Sequence, residues 1–114
     1  MIVSVLGGAV NLVDLEKYLP KKQIELICSD SSFLDHQVKA YADKNNIPCL
    51  VLNMEKDSKT KALLSETKRT MIEMCDTVLI FWDGRTKSVN QFITYCELSG
   101  KFYTVHKLEG VKFA

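Results

Sequence analysis

The chain has 114 residues, of which 46% are hydrophobic and 25% are charged, and its formal net charge is +1. This composition is typical of one soluble globular domain that spans residues 1–114 and encloses a single core. The small net charge provides no general attraction to nucleic acid, and no stretch has the length of a membrane span. Met1 to Leu6 lacks a charged leader and predicts a first strand, so we expect a cytoplasmic protein.

The four cysteines are widely spaced and form no CxxC pair; they are Cys28, Cys49, Cys75 and Cys96. This spacing argues against a zinc site and against a redox motif. Each cysteine lies within or at the end of an apolar segment, which predicts small buried side chains in a reducing compartment. The sequence therefore predicts neither a metal site nor a cofactor.

The first predicted strand runs into Gly7-Gly8. Two glycines at this point predict either a plain tight turn or a turn that lets the backbone approach a ligand closely. A short helix with leucines on one face follows and ends at Pro20. The pattern leaves both interpretations of the glycines open.

Gln23 to Cys28 alternates polar and apolar residues, which predicts a second strand near the edge of the sheet. The polar turn Ser29-Asp30-Ser31-Ser32 follows, and Ser32 with Asp35 has the spacing of a capping box. Capping of the next helix is one explanation of this turn. The alternative is that Ser29, Ser31 and Ser32 offer hydroxyl and N–H groups to a phosphate or a ribose.

The next helix ends near Asn45-Asn46, and Ile47 to Asn53 predicts the third strand. A further helix is predicted from about Ser58 to Cys75. Its predicted inner face consists of Leu64, Thr67, Met71 and Met74. We interpret the lysines on its other face as solvated surface, whereas Arg69 is a candidate site residue because a guanidinium binds phosphate or carboxylate through two hydrogen bonds.

Asp76 to Trp82 is apolar on both faces and too short for a helix, which predicts a central strand of a parallel sheet. The polar loop Asp83-Gly84-Arg85-Thr86-Lys87 follows. A helix then begins with the capping-box spacing of Ser88 and Gln91 and stops at Gly100. The loop of such a unit lies at the carboxyl end of the strand, where α/β sheets bind ligands, and the helix N-terminus suits an anion.

Lys101 to His106 predicts the fifth strand. The complete order is strand, helix, strand, helix, strand, helix, strand, helix, strand. With right-handed crossovers, this order predicts an α/β fold, namely a Rossmann-like three-layer α/β/α sandwich with a mainly parallel five-stranded sheet.

With these turns in place, the chain resembles the SLOG superfamily, a Rossmann-like group that contains DNA-processing protein A and the LOG phosphoribohydrolases. It is most similar to the small stand-alone YspA-like (YAcAr) branch. The resemblance rests on four segments, Leu6-Gly7-Gly8, Cys28 to Asp35, Arg69-Thr70-Met71 and Thr86-Lys87-Ser88-Val89. The chain departs from the family where serines replace glycines in the second turn, Thr70 replaces Asn, and Ser88-Val89 replaces Gly-Thr.

The resemblance implies a nucleotide or nucleotide-derived ligand at the carboxyl edge of the sheet, and a homodimer. Trp82 is either a core residue or, like Phe33, a surface for stacking a base. The implied ligand-binding residues are Gly7, Gly8, Ser29, Ser31, Ser32, Arg69, Trp82, Asp83, Gly84, Arg85, Thr86, Lys87 and Ser88.

Three functions are consistent with this pattern. The favoured hypothesis is a domain that senses or sequesters the nucleotide without transforming it. The second is a nucleotide N-glycosidic hydrolase, with Asp35 and Glu97 as candidate carboxylates, although the phosphoribohydrolase signature is missing around them. The third is a partner-binding domain with a vestigial pocket.

Overall fold

A computed structural model describes residues 1–8, 13–30, 32–52 and 66–108. Five parallel strands form one sheet in the order β3-β2-β1-β4-β5. The strands are β1 (Ile2–Gly8), β2 (Glu25–Ser29), β3 (Cys49–Leu52), β4 (Thr77–Trp82) and β5 (Phe102–Lys107). The helices are α1 (Leu15–Tyr18), α2 (Phe33–Lys44), α3 (Glu66–Met74) and α4 (Ser88–Leu98). The predicted α/β fold with a five-stranded parallel sheet is confirmed.

The core consists of two clusters, one on each face of the sheet, because successive side chains of a strand point to opposite faces. Val5, Cys28 and Phe81 pack against α1 and α2. Leu6 and Ile80 pack against α3 and α4. The sheet is therefore the middle layer of three.

The apolar segment that ends at Trp82 forms an interior strand, since β4 pairs with β1 on one side and β5 on the other. Val78, Ile80 and Phe81 have no exposed surface. Strand β2 is also interior, between β1 and β3, and its last four residues are buried. The edge strands are β3 and β5. The alternating pattern of β2 predicted a position near the edge of the sheet, and β2 is the strand next to the edge strand β3.

Helix α4 ends in the left-handed glycine that the sequence predicts. Gly100 has a φ of 67°. The N–H of Lys101 donates to the Cys96 carbonyl at 2.9 Å, and the N–H of Gly100 donates to the Glu97 carbonyl at 3.2 Å. These two bonds form a Schellman motif, which satisfies carbonyl groups that the end of a helix leaves without partners.

Several local predictions are wrong. Gly7 and Gly8 belong to β1 rather than to the turn after it, because β4 extends alongside them and pairs with both residues. Lys87, without a side-chain hydrogen bond, is the N-cap of α4, so the capping box predicted at Ser88 does not form. Met74 is 47% exposed, and the buried aliphatic neighbour of Met71 on the inner face of α3 is Ile72.

Other predictions lie outside the described residues. They concern Ser31, Leu64 and the first part of the helix predicted to begin near Ser58. Within the described ranges, no helix combines the length and the apolar character needed to cross a membrane.

Replacing Ile80 by Asp is expected to prevent folding. The new carboxylate would lie in a strand with a neighbour on both sides, and burying an unpaired charge costs an amount comparable with the whole stability of a domain, on the order of 5–15 kcal/mol. Circular dichroism and a thermal melt measure the effect. Leu50→Asp is the control, because Leu50 is 45% exposed on the edge strand β3; a cooperative melt for Ile80→Asp would show that β4 is misplaced.

Candidate functional site

The candidate site lies where the carboxyl ends of β1 and β4 meet. The chain passes from β1 to β2 and β3 on one side, and then crosses to β4 and β5 on the other. In α/β sheets, such a reversal of direction opens a crevice outside the carboxyl ends of the two adjacent strands. Gly7 and Gly8 pair with Phe81 and Trp82 at this edge. The structure thus brings the first glycine segment and the loop after β4 together.

The loop after β4, residues 83–87, is held by hydrogen bonds at both ends. The Asp83 Oδ1 accepts the N–H of Thr86 at 2.8 Å and the N–H of Arg85 at 2.9 Å. These bonds hold the pKa of the Asp83 carboxyl below its ordinary value. The indole N–H of Trp82 donates to the Thr86 carbonyl at 2.9 Å. Asp83 and Trp82 therefore shape the loop, and the Trp82 ring also packs against the core.

Three basic side chains lie in or beside this loop. We call them the basic group: Arg85 and Lys87 belong to the loop, and Lys107 ends β5. Arg85 and Lys87 are exposed. Lys107, at the end of β5, crosses over Gly84: a Cβ added to Gly84 would lie 2.6 Å from the Lys107 Cε. Gly84 also has a φ of 87°, which favours glycine. The close approach of Lys107 therefore depends on Gly84.

The N-terminus of α4 points to the same edge. The helix follows β4 directly after the loop and begins at Ser88, with no acidic residue in its first turn. The first N–H groups of a helix have no partner within it, and they carry a partial positive charge. Together with the basic group, they make this side of the edge suitable for an anion.

The turn after β2 is organised around the buried carboxylate of Asp35, whose exposure is 3%. Its Oδ2 accepts the Ser29 hydroxyl at 2.6 Å, the Ser32 hydroxyl at 2.9 Å and the Ser32 N–H at 3.1 Å. Its Oδ1 accepts the Ser29 N–H at 3.0 Å. The Asp35 N–H donates to the Ser32 hydroxyl at 3.2 Å, which completes the predicted capping box.

Lys68 of α3 joins this cluster, and its Nζ donates to the Ser29 hydroxyl at 3.2 Å. Burial alone would raise the pKa of Asp35, but the Ser29 bond and the charge of Lys68 outweigh it, and the pKa lies below its ordinary value. Burial lowers the pKa of Lys68, and the charge of Asp35 opposes that shift. The interpretation of this lysine as solvated surface is wrong.

The other predicted residues have different surroundings. Arg69 lies on α3, and its buried Nε has no hydrogen-bond partner in the described part of the chain. Glu97 is nine residues beyond Ser88, about 13 Å farther along the helix axis, and accepts the Tyr103 hydroxyl at 2.9 Å. Asp35 is enclosed by the serines. Neither candidate carboxylate faces the crevice.

The sequence did not indicate Lys68 or Lys107 as site residues. Lys107 could have been found, since it directly follows a predicted strand whose carboxyl end must lie at the same edge as that of β4. The contact of Lys68 depends on how α3 packs beside β2, which no local pattern encodes. Among the described residues, no group of three or more histidine, cysteine, aspartate or glutamate side chains could hold a metal ion.

A cavity of about 680 Å³ lies over β4 and β5, mostly toward their amino-terminal ends but extending to His106. Its lining includes Val3, Leu79, Phe102 and Thr104. These residues belong to a largely apolar sheet face and include no lysine or arginine. The groups suited to an anion are therefore at the carboxyl edge, not in this cavity.

Comparisons with protein-family models, with curated proteins and with solved structures found no match for the chain.

Replacing Asp35 by Asn is expected to lower the free energy of unfolding by on the order of 2 kcal/mol at neutral pH, because Asn cannot accept all the bonds of the carboxylate. The pKa of Asp35 is lowered from 3.8 by folding. The stabilisation by the ionised carboxylate is thus complete above that value and is lost as the pH falls through the lower, folded value.

Thermal melts between pH 2 and 7, a range chosen to bracket the ordinary carboxyl pKa of about 4, measure this dependence. The difference between the wild type and Asp35→Asn should be largest at neutral pH and should shrink in acid. Asp43→Asn is the control, because the Asp43 side chain is 64% exposed. A difference for Asp35→Asn that does not vary with pH would contradict the role of the charge.

Proposed function

We propose that the protein binds a nucleotide or a nucleotide derivative in the crevice between the carboxyl ends of β1 and β4. The observation that supports this most directly is the meeting of the basic group, the α4 N-terminus and the glycine end of β1 at the point where the strand order reverses. Crevices at this position of α/β sheets are where such folds bind ligands.

The phosphate groups of the ligand are proposed to lie against the first turn of α4. Backbone N–H groups there supply hydrogen bonds, and Arg85, Lys87 and Lys107 supply positive charge. The loop is already shaped by the bonds to Asp83, so less conformational entropy is lost when the ligand binds.

The base is proposed to stack on an aromatic side chain near the crevice. Phe33 begins α2, after the neighbouring strand β2, and is 76% exposed. Trp82 is half-buried and its N–H is engaged by the loop, so it offers less of its ring. An exposed aromatic ring at the binding edge supports recognition of a planar group.

The arrangement favours binding over hydrolysis. Hydrolysis of an N-glycosidic bond needs a carboxylate that activates water or stabilises a cationic centre. Asp35 is enclosed in its own turn, and Glu97 lies toward the far end of α4. Asp83 lies at the crevice, but its Oδ1 accepts two N–H groups of its own loop. We therefore propose a domain that senses or sequesters its ligand.

Membership of the SLOG superfamily and the implied homodimer are parts of this proposal. Size-exclusion chromatography with light scattering tests the dimer. A mass of 12.9 kDa, that of one chain, at all concentrations would contradict it.

The test uses purified protein with a panel of AMP, cyclic AMP, ADP-ribose, NAD and inorganic phosphate. Titration calorimetry and thermal shift measure binding, and liquid chromatography measures release of free base. At least one nucleotide should bind saturably and remain intact. Release of base would favour the hydrolase, and no binding across the panel would favour the vestigial pocket.

The double variant Arg85→Ala, Lys87→Ala is expected to weaken binding of that nucleotide about tenfold or more, because charge-assisted hydrogen bonds to phosphate are lost. The control is Lys21→Ala, Lys22→Ala, which removes two exposed cations just before β2, at the opposite end of the sheet. An equal loss of affinity in both double variants would indicate a general effect of net charge and would contradict a binding site at the loop.

Arg69→Ala tests whether the site extends to α3. If the guanidinium contacts the ligand, the variant should lose affinity in the same calorimetric assay while its thermal midpoint stays close to that of the wild type, because partly exposed residues rarely determine stability. If the variant binds as tightly as the wild type, Arg69 is not part of the site. That result would not change the assignment of the basic group to the site.

A further inference from the structure

Two cysteines that are far apart in the sequence lie side by side in the sheet. The Sγ atoms of Cys28 and Cys49 are 3.7 Å apart, although 21 positions separate the residues in the chain. Strands β2 and β3 bring them together: Leu26 pairs with Cys49, and Cys28 pairs with Val51. Both cysteines therefore point to the face covered by α1 and α2.

The two thiols differ in access to solvent. Cys28 has no exposed surface, whereas Cys49 is partly exposed on the edge strand β3. Cys49 is therefore the more accessible of the two thiols to an oxidant, and the Cys28 Sγ lies 3.7 Å from the Cys49 Sγ. By contrast, Cys75 and Cys96 on the other face are both buried.

We propose that Cys28 and Cys49 are a modification site, a dithiol that peroxide converts into a disulfide between β2 and β3. A disulfide needs its sulfur atoms about 2.05 Å apart, so the two sulfurs must approach by about 1.7 Å in total. Because Cys28 and Cys49 are diagonal neighbours in the register and not directly opposite each other, closing the bond requires the edge strand β3 to shift as well as side-chain rotation. Both strands can stay in the sheet.

The reaction has two steps. The Cys49 thiolate attacks one oxygen of hydrogen peroxide, the O–O bond breaks, and the sulfur becomes a sulfenic acid while hydroxide leaves. The Cys28 sulfur then attacks the Cys49 sulfur; the S–S bond forms, and the sulfenic hydroxyl leaves as water with the proton of Cys28. Altogether, two thiols are oxidised and one peroxide is reduced to two waters.

The surroundings of the pair make this reaction slow at neutral pH. Burial, the neighbouring Cys49 and the charge of Asp35 raise the pKa of Cys28 to about 12, against a smaller opposite effect of Lys39. Burial also raises the pKa of Cys49; the hydrogen bond with Cys28 and the charge of Lys39 oppose this shift, and Asp43 adds to it. Because the thiolate is the nucleophile, the rate of oxidation should increase as the pH rises from about 7 to 9.

The bond would tie the edge strand to the strand that carries Ser29. Cys28 immediately precedes Ser29, whose hydroxyl contacts both Asp35 and Lys68. Closing the loop between the two cysteines also reduces the freedom of the unfolded chain. The oxidised protein should therefore melt several degrees higher than the reduced protein.

The test treats the folded, reduced chain with hydrogen peroxide at several pH values and records its intact mass. The mass should fall by two hydrogen atoms per chain, and dithiothreitol should restore it. Tryptic cleavage should then give one cross-linked product that joins peptides 23–39 and 45–56, which contain Cys28 and Cys49 respectively. Peptide mapping of the wild type does not depend on the folding of any variant.

Cys49→Ala should abolish the loss of two hydrogens, and Cys96→Ala, the control, should keep it. Cross-links that join other cysteines or two chains would overturn the proposal, as would a disulfide that persists in Cys49→Ala. Stepwise addition of oxygen atoms without a cross-link would overturn it as well. A cysteine-containing test peptide serves as the control for the activity of the peroxide. If the protein keeps all four thiols at pH 9 while the peroxide oxidises this peptide, the proposal is also overturned.

Discussion

The pairing of β1 with β2 on one side and β4 on the other is the constraint on which the site depends. Parallel strands need crossovers, and right-handed crossovers place α1 and α2 on one face and α3 and α4 on the other. The reversal between β1 and β4 then follows from the strand order alone. The basic loop after β4 reaches the glycine end of β1 only because the two strands are adjacent.

The buried carboxylate of Asp35 determines the form of the neighbouring turn. Removing a charge from water is costly, and here four hydrogen bonds from Ser29 and Ser32, with the charge of Lys68, offset the cost. The hydroxyl groups of Ser29 and Ser32 are turned toward this carboxylate. These serines thus have a structural role that requires no ligand.

Local chemistry allowed much of the fold to be predicted from the sequence. The apolar run to Trp82, the spacing of Ser32 and Asp35, and Gly100 each act through near neighbours, and each lies where expected. One failure is local, since the capping box at Ser88 does not form, but the failures that matter for the site concern contacts between distant segments. The pairing of Gly7 with Phe81 extended a strand beyond its predicted end, and the reach of Lys68 to Ser29 spans 39 positions. Such contacts depend on how elements pack, which hydrophobic periodicity does not specify.

The carboxyl edge of the sheet is electrostatically divided. At the end of β2, the charge of Lys68 is balanced by that of Asp35, so this part attracts an anion weakly. Among the described residues at the ends of β4 and β5, three cations lie near one carboxylate, that of Asp83, whose Oδ1 already accepts two N–H groups. An anionic ligand therefore gains more at the β4 side, where the helix N-terminus adds to the attraction. In the proposed site, phosphate recognition and turn formation are thus assigned to different residues, although both lie at one edge.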